Sequence, residues 1–99
     1  MKTTFAVRHF EPTRDLKQYS MDEIEKLEQF YDKIIACDIV LEPSDSHDNP
    51  CKAELRVKVP QKLLNATETG QTWEQAINNV VDTIIRQIRK YKTKRFEHI

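Results

Sequence analysis

The strongest constraint on the fold is a stripe of apolar residues that recurs every three or four positions in the last third of the chain. Its members are Trp73, Ala76, Ile77, Val80, Val81, Ile84, Ile85, Ile88 and Tyr91. Thr72 and Gln75 occupy the positions of a capping box, which predicts that a helix begins at Trp73. Because a helix with so wide an apolar stripe must cover another apolar surface, we expect it to pack on a sheet.

The segment before this helix supplies such a sheet face, because its side chains alternate between apolar and charged. Over residues 51–59, one face would carry Ala53, Leu55, Val57 and Val59, and the other Lys52, Glu54, Arg56 and Lys58. This period of two predicts a strand with one packed and one solvated face. Residues 60–62 can turn the chain into an antiparallel partner strand over residues 63–68, which Gly70 would end.

Two further strands are predicted in the first half of the chain. Weak alternation over residues 3–8 indicates a short strand, which Pro12 stops. Residues 34–41 are apolar and rich in β-branched side chains, as is typical of a strand. Residues 42–50 are polar and contain two prolines, so we expect a loop there.

A helix is predicted between these two strands, with two possible starting points. Thr13 can act as its N-cap, and the helix should end near residues 31–33. Residues 20–23 form a second possible capping box, so the helix could instead begin there. We prefer Thr13 because Leu16 and Tyr19 extend the apolar stripe of the helix toward it.

The predicted element order is β-α-β-β-β-α. This order is typical of an α+β fold, a two-layer sandwich in which both helices pack on one face of a four-stranded sheet. At 99 residues the chain suits a single domain, residues 1–99, that buries a modest core without disulfides or metals. A composition of 38% hydrophobic and 32% charged residues is typical of a folded rather than a disordered chain.

Composition and spacing argue against membrane and metal-binding classes. No apolar run approaches the roughly 20 residues of a spanning helix, and residues 1–10 lack the apolar core of a signal peptide, so we expect a cytoplasmic protein. In that compartment Cys37 and Cys51 are better explained as small buried hydrophobic residues than as a disulfide. The cysteines and histidines lack the paired short spacing of a zinc site, so no metal is expected.

The sequence also gives little support for catalysis. Gly70 is the only glycine, so the chain has no glycine-rich loop that could hold a phosphate. No serine or cysteine stands beside a histidine in a recognisable nucleophile motif. We therefore expect a protein that is not an enzyme, uses no cofactor and has no small-molecule substrate.

Basic residues are concentrated at the end of the second predicted helix, although the formal net charge of the chain is zero. The segment "IIRQIRKYKTKR", residues 84–95, contains Arg86, Arg89, Lys90, Lys92, Lys94 and Arg95. On a helical wheel the first three lie opposite the apolar stripe and the others spread around the remaining circumference. We therefore expect the last turn of this helix to be unpacked.

Two interpretations of this basic cluster remain open. Cations at a helix C-terminus each gain about 0.3–1 kcal/mol from the helix dipole, which would account for one or two of them. Six within ten positions exceed that need and favour phosphate binding, in which arginine forks two oxygens and lysine supplies a point charge. Trp73 and Tyr91 belong to the core stripe, so base stacking is not expected.

Two stretches of the chain resemble the ribosome hibernation-promoting factor and ribosome-associated inhibitor (protein Y) family, also described as sigma-54 modulation proteins. They are "KLEQFYDKI", residues 26–34, and "NATETGQTWEQAINNVVDTIIRQIRKYK", residues 65–92. The shared elements are Thr13, Lys26-Leu27-Glu28, Gly70, Ala76-Ile77, Arg86-Gln87, Lys90, Lys92 and Lys94. The resemblance covers nearly the whole chain, and the family has the same β-α-β-β-β-α order.

The resemblance implies a stress or stationary-phase factor that docks on the small ribosomal subunit, overlaps the mRNA and tRNA sites, and blocks translation without catalysis. At matching positions it implies that ribosomal RNA phosphates are contacted by Lys26, Arg86, Lys90, Lys92 and Lys94. Charge alone adds Arg89 and Arg95. Because the sequence ends at Ile99, the resemblance implies the short form of the family, which we expect to be monomeric off the ribosome. In the family, the short form favours paired, inactive ribosomes with help from another factor.

The chain also departs from the family pattern in ways that suggest a competing hypothesis. Glu23 stands where the first helix of the family often carries lysine, and with Glu25 it would weaken a phosphate-binding surface at Lys26. Glu74 replaces an aromatic residue near the start of the second helix. The alternative is a protein-interaction module whose acidic first helix and basic second helix present opposite charges to a protein partner, or to each other in a homodimer.

Overall fold

The computed structural model describes residues 1–97, and describes side chains through Thr93. Its elements are β1 (Lys2–Val7), α1 (Arg14–Glu25), a 3-10 segment (Lys26–Gln29), β2 (Ala36–Pro43), β3 (Cys51–Val59), β4 (Lys62–Gly70) and α2 (Trp73–Glu97). The predicted order β-α-β-β-β-α is confirmed. Sequence pattern and structure agree on the four strands and the two α-helices, and differ at the ends of several of them and in the 3-10 segment.

The four strands form one mixed sheet in the order β1-β2-β3-β4. β1 runs parallel to β2, whereas β2–β3 and β3–β4 are antiparallel. The register aligns Phe5, Ile39, Leu55 and Ala66 in one row across the sheet. Since Ile39 and Leu55 are almost fully buried while the alternate residues are exposed or half-buried, only one sheet face is packed. Both helices therefore lie on that face, as the sequence predicts.

α1 begins where the preferred prediction placed it. The Thr13 side chain accepts a hydrogen bond from the Leu16 amide at 3.0 Å, which is the geometry of an N-cap. Ser20 lies inside the helix instead of starting it, and its hydroxyl donates to the Leu16 carbonyl at 3.0 Å. The alternative start at residues 20–23 is therefore wrong.

The predicted end of α1 at residues 31–33 is also wrong, because the helix changes type at Lys26. Residues Lys26–Gln29 form a 3-10 turn, and the amides of Phe30 and Tyr31 both donate to the Leu27 carbonyl, at 3.0 and 3.2 Å. With three residues per turn, Ile24 and Leu27 fall on the same side, and both are fully buried. The tighter turn thus keeps the core contact while ending the helix.

The ends of three strands move by one or two residues from their predicted positions, and β3 has its predicted bounds. β1 begins and ends one residue earlier than predicted, and β2 begins and ends two residues later. β4 continues through Gly70 instead of ending before it, because Gly70 pairs with Cys51 across the β3–β4 ladder. The glycine is therefore part of the strand and does not break it.

Polar side chains of α2 cover the outer edge of β4. Asn79 donates to the Thr69 carbonyl at 2.9 Å, and Gln87 donates to the Asn65 carbonyl at 3.0 Å. These carbonyls belong to an edge strand, whose unpaired main-chain groups would otherwise be open to pairing with another chain. α2 therefore covers part of the β4 edge of the sheet in addition to its packed face.

The two cysteines lie in the core as free thiols, as the sequence predicts. Burial raises the pKa of the Cys37 thiol to about 12. Burial also raises the pKa of Cys51. Both groups are therefore protonated at neutral pH and act as small apolar residues.

The tight turn between β3 and β4 contains a residue with a strained backbone, which gives a stability prediction. Gln61 has φ 67° after Pro60, a combination that matches a type II turn, where glycine is preferred at the second position. We expect Gln61→Gly to raise the free energy of unfolding by about 0.5 kcal/mol, because relief of the strain outweighs the added chain entropy. Urea denaturation checks this. An equal rise in Lys62→Gly, a neighbour without positive φ, would contradict the argument.

Candidate nucleic-acid interface

Three of the predicted phosphate contacts lie together on the outer side of α2. Arg86, Arg89 and Lys90 are all exposed, while Ile84 and Ile88 on the opposite side are fully buried. Among the side chains that the structure describes, none of the three cations forms an ion pair with a carboxylate. We call these three residues the α2 cation face. They present positive charge to solvent without a neutralising neighbour.

Lys92, predicted to belong to the same surface, lies in a different environment. Its side chain is half-buried, and its ammonium donates a hydrogen bond to the Phe30 carbonyl at 2.9 Å. The preceding residue, Tyr91, is buried and donates from its hydroxyl to the Pro60 carbonyl at 2.7 Å. The prediction that this end of the helix is unpacked is therefore wrong for Lys92, because the Phe30 carbonyl accepts a hydrogen bond from it. The burial of Tyr91 agrees with its predicted place on the apolar stripe.

Arg89 has an aromatic neighbour as well as an exposed position. Its guanidinium carbon lies 5.6 Å from the centroid of the Phe30 ring, within the range of a cation–π contact. Such a contact favours one orientation of the guanidinium and leaves its N–H groups available to an anion. Phe30 was not singled out in the sequence, because no local pattern indicates that residue 30 meets residues 89 and 92.

Lys26 lies at the start of the 3-10 segment, beside an acidic neighbour. Its ammonium is 2.8 Å from the Glu23 carboxylate, and 56% of its side chain is exposed. The hydrogen bond with Glu23 raises the pKa of Lys26, so the lysine stays cationic at neutral pH. Lys26 opens the 3-10 segment that leads directly to Phe30, and Phe30 contacts Arg89 and Lys92 of α2. Its charge is, however, partly neutralised, as the sequence suggested.

The remaining predicted contacts, Lys94 and Arg95, belong to the helical backbone of α2, but their side chains lie outside the described ones. Their role stays a prediction.

The rings on the core stripe do not form a platform for bases. Trp73 stacks on Phe10 with ring centroids 4.3 Å apart and an interplanar angle of 10°. Tyr91 packs edge-on against Tyr31 at 5.5 Å. Both core-stripe rings are therefore engaged within the domain. That binding does not depend on base stacking stays a prediction.

The uncovered sheet face carries charges of both signs. Lys52 lies 3.0 Å from Glu42, and Arg56 lies 4.0 Å from Glu54. The hydrogen bond from Lys52 lowers the pKa of Glu42, as expected for a carboxylate beside a cation. With two of its cations paired in this way, the face has the character of a solvated surface more than of an anion-binding one.

Two features of the structure bear on the membrane and metal-binding classes. No helix in residues 1–97 is long and apolar enough to cross a membrane. Within the described part of the chain, no group of three or more His, Cys, Asp or Glu side chains could hold a metal ion.

Residues 3–95 match the family model described as "Sigma 54 modulation protein / S30EA ribosomal protein". Among curated relatives, a ribosome hibernation promotion factor of Deinococcus radiodurans is 27% identical over 89 residues, which are 88% of this chain and 47% of that protein. The chain thus spans about half the length of that relative. A ribosome hibernation promoting factor of Escherichia coli (strain K12) is 28% identical over 98 residues, covering 99% of this chain and all of that one.

A solved structure with the same fold is that of a ribosomal subunit interface protein from Coxiella burnetii. It superposes with a TM-score of 0.84, at 15% identity, over 94% of this chain and 99% of that one. At this identity the likeness supports the mixed four-stranded sheet and the two helices, and carries no information about individual contacts.

Proposed function

The chain belongs to the Sigma 54 modulation protein / S30EA ribosomal protein family, and from this membership we propose that it is a ribosome hibernation factor. In this proposal it binds the small ribosomal subunit at the decoding region, where mRNA and tRNA bind, through phosphates of the ribosomal RNA. Binding inhibits translation under stress or in stationary phase. Relatives named as ribosome hibernation factors support the general role.

The observation that carries this proposal is the α2 cation face. Arg86, Arg89 and Lys90 are exposed on one side of a helix whose other side is fixed in the core. A rigid helix presents these charges at set spacings, so they match a phosphate arrangement of one shape. Because phosphate contacts do not read base identity, this surface suits a fixed structural RNA better than a variable message.

The proposed action is steric and not catalytic. The family is known for ribosome hibernation and is not an enzyme family, and the thiols of this chain are buried and protonated. A protein that occupies the mRNA and tRNA sites needs only affinity and the correct position. On this proposal the protein works in the cytoplasm and needs no cofactor.

The proposal predicts a steep salt dependence of binding. If Lys26 and the three residues of the α2 cation face neutralise one phosphate apiece, four phosphates in all, the slope of log affinity against log salt should be about −3. Affinity for isolated small subunits should then fall roughly 60-fold between 50 and 200 mM salt. Co-sedimentation across a salt series measures this directly, with isolated large subunits as the comparison.

Two outcomes would contradict the proposal. Absence of binding at 50 mM salt would remove the ribosomal role. Binding that hardly changes with salt would favour the protein-interaction alternative, in which the acidic surface of α1 contributes. That alternative is supported by the exposure of Asp15, Asp22 and Glu25 on α1.

A further inference from the structure

Phe30 is held by α2 from two sides. The Arg89 guanidinium lies over its ring, at 5.6 Å from the centroid, and the Lys92 ammonium donates to its carbonyl at 2.9 Å. Phe30 follows directly after the 3-10 segment that begins with Lys26. We call Phe30, Arg89 and Lys92 the Phe30 clasp. It connects the end of the first helical region to the C-terminal half of the second.

The electrostatic environment of Lys92 differs from that of the α2 cation face. Lys92 lines an open pocket together with Glu28, Asp32 and Lys33, besides Gln29, Phe30 and Tyr31. The two carboxylates balance the two ammonium groups, so the pocket as a whole does not attract an anion. A phosphate at Lys92 would also meet the repulsion of Glu28 and Asp32.

The bond from Lys92 to Phe30 is also favourable by itself. The Phe30 carbonyl lies at the C-terminal end of a helical segment, where the exposed carbonyls carry partial negative charge. A lysine ammonium there forms a charge-assisted hydrogen bond, which is stronger than a bond between neutral groups. The ammonium therefore already has a good partner within the domain.

From these observations we propose that Lys92 is a positioning residue and not a phosphate ligand. Through the Phe30 clasp it holds the 3-10 segment against α2, so that Lys26 and the α2 cation face form one continuous surface. Among the side chains that the structure describes, those of Lys26, Arg86, Arg89 and Lys90 then contact the phosphates. This inference rests on the proposed function, and it assigns different roles to two lysines separated by only one residue.

The test compares Lys92→Met with Lys90→Met. Both substitutions remove one positive charge from the same turn and keep most of the apolar stem, so they match in net charge. Lys90→Met should reduce the salt slope of small-subunit binding by about 0.7–0.9, the value for one lost phosphate contact. Lys92→Met should weaken binding severalfold at every salt concentration and leave the slope unchanged, because Lys26 still reaches its phosphate but the 3-10 segment must be ordered at the moment of binding.

A double-mutant cycle with Lys26→Met provides a second readout. If Lys92 acts by placing Lys26, the loss of affinity caused by Lys92→Met should largely disappear once Lys26 is Met. If Lys92 binds its own phosphate, the two losses should multiply. A reduced slope in Lys92→Met, or multiplying losses, would overturn the assignment.

Amide hydrogen exchange tests the clasp without the ribosome. The amides of Phe30 and Tyr31, which donate to the Leu27 carbonyl, should exchange at least about fivefold faster in Lys92→Met and at the original rate in Lys90→Met. Equal exchange in both variants would refute the clasp. If the unmodified protein fails to bind small subunits while this exchange difference is present, the proposed function falls and the positioning of the 3-10 segment stands.

Discussion

Reversing the charge of two residues on the α2 cation face, Arg86→Glu with Lys90→Glu, is expected to abolish binding to small ribosomal subunits while the domain stays folded. A phosphate about 4 Å from a cation in water gains about 1 kcal/mol, and a carboxylate there loses a similar amount. Two reversals therefore change the binding free energy by about 4 kcal/mol, or roughly a thousandfold in affinity. Co-sedimentation at low salt measures the loss.

The fold should tolerate this change because both side chains are exposed and neither forms an ion pair with a described carboxylate. Circular dichroism and the fluorescence of Trp73, the only tryptophan, verify that the domain is intact. A matched control is Lys2→Glu with Lys58→Glu, which alters net charge equally on the uncovered sheet face. Equal loss in the control would show that general charge, and not the α2 cation face, governs binding.

Replacing Gly70 by alanine is expected to be the most damaging small substitution in the domain. A Cβ at this position would lie 2.6 Å from the Ala76 nitrogen and 3.0 Å from the Gln75 carbonyl carbon. Both are main-chain atoms in the first turn of α2, so they cannot move without shifting the helix. We expect the free energy of unfolding to fall by about 2 kcal/mol and the Tm by roughly 10 °C.

The cause would be close approach and not backbone conformation, since Gly70 does not have a positive φ. Alanine can therefore adopt the required backbone, and the cost is steric. Thermal unfolding followed by circular dichroism measures it. Gln71→Ala, at the exposed neighbouring position, should stay within about 0.5 kcal/mol of the original. Unchanged stability of Gly70→Ala would refute the contact between β4 and α2.

Local signals were sufficient to predict most of the fold. The Thr13 cap and the Thr72–Gln75 box locate both helix starts, and both hydrogen bonds are present in the structure. The strict alternation of residues 51–59 gives β3 with its predicted bounds and its buried face. These features depend on neighbours within four residues, so they are visible in a linear pattern.

Features that depend on distant neighbours could not be predicted in this way. The alternation of β1 does not by itself indicate its direction, because a parallel and an antiparallel strand would bury the same residues. The parallel pairing with β2 depends on the crossover through α1, and not on the local pattern of either strand. Nor can a four-residue stretch distinguish a period of 3.0 from one of 3.6, so the pattern over Lys26–Gln29 predicts α-helix where the structure has a 3-10 turn.

The residues of the candidate site also differ in whether the local pattern or a distant neighbour determines their environment. Exposure of Arg86, Arg89 and Lys90 follows from helical periodicity alone, because they lie opposite the stripe. The environment of Lys92 depends on Phe30, which is 62 positions away in sequence. A count of charges treats these lysines and arginines alike, whereas the fold separates those open to an outside anion from one that already has an internal partner.

The separation of exposed acids on α1 from exposed cations on α2, in a chain of zero net charge, has a kinetic consequence for the proposed role. At physiological salt the Debye length is about 8 Å, so the distant ribosome exerts little pull on this neutral particle. Encounter rates should stay near the ordinary 10⁵–10⁷ M⁻¹s⁻¹ and not reach the steered regime. The time for which a ribosome stays inactive would then be set by the dissociation rate of the bound protein, and not by its association rate.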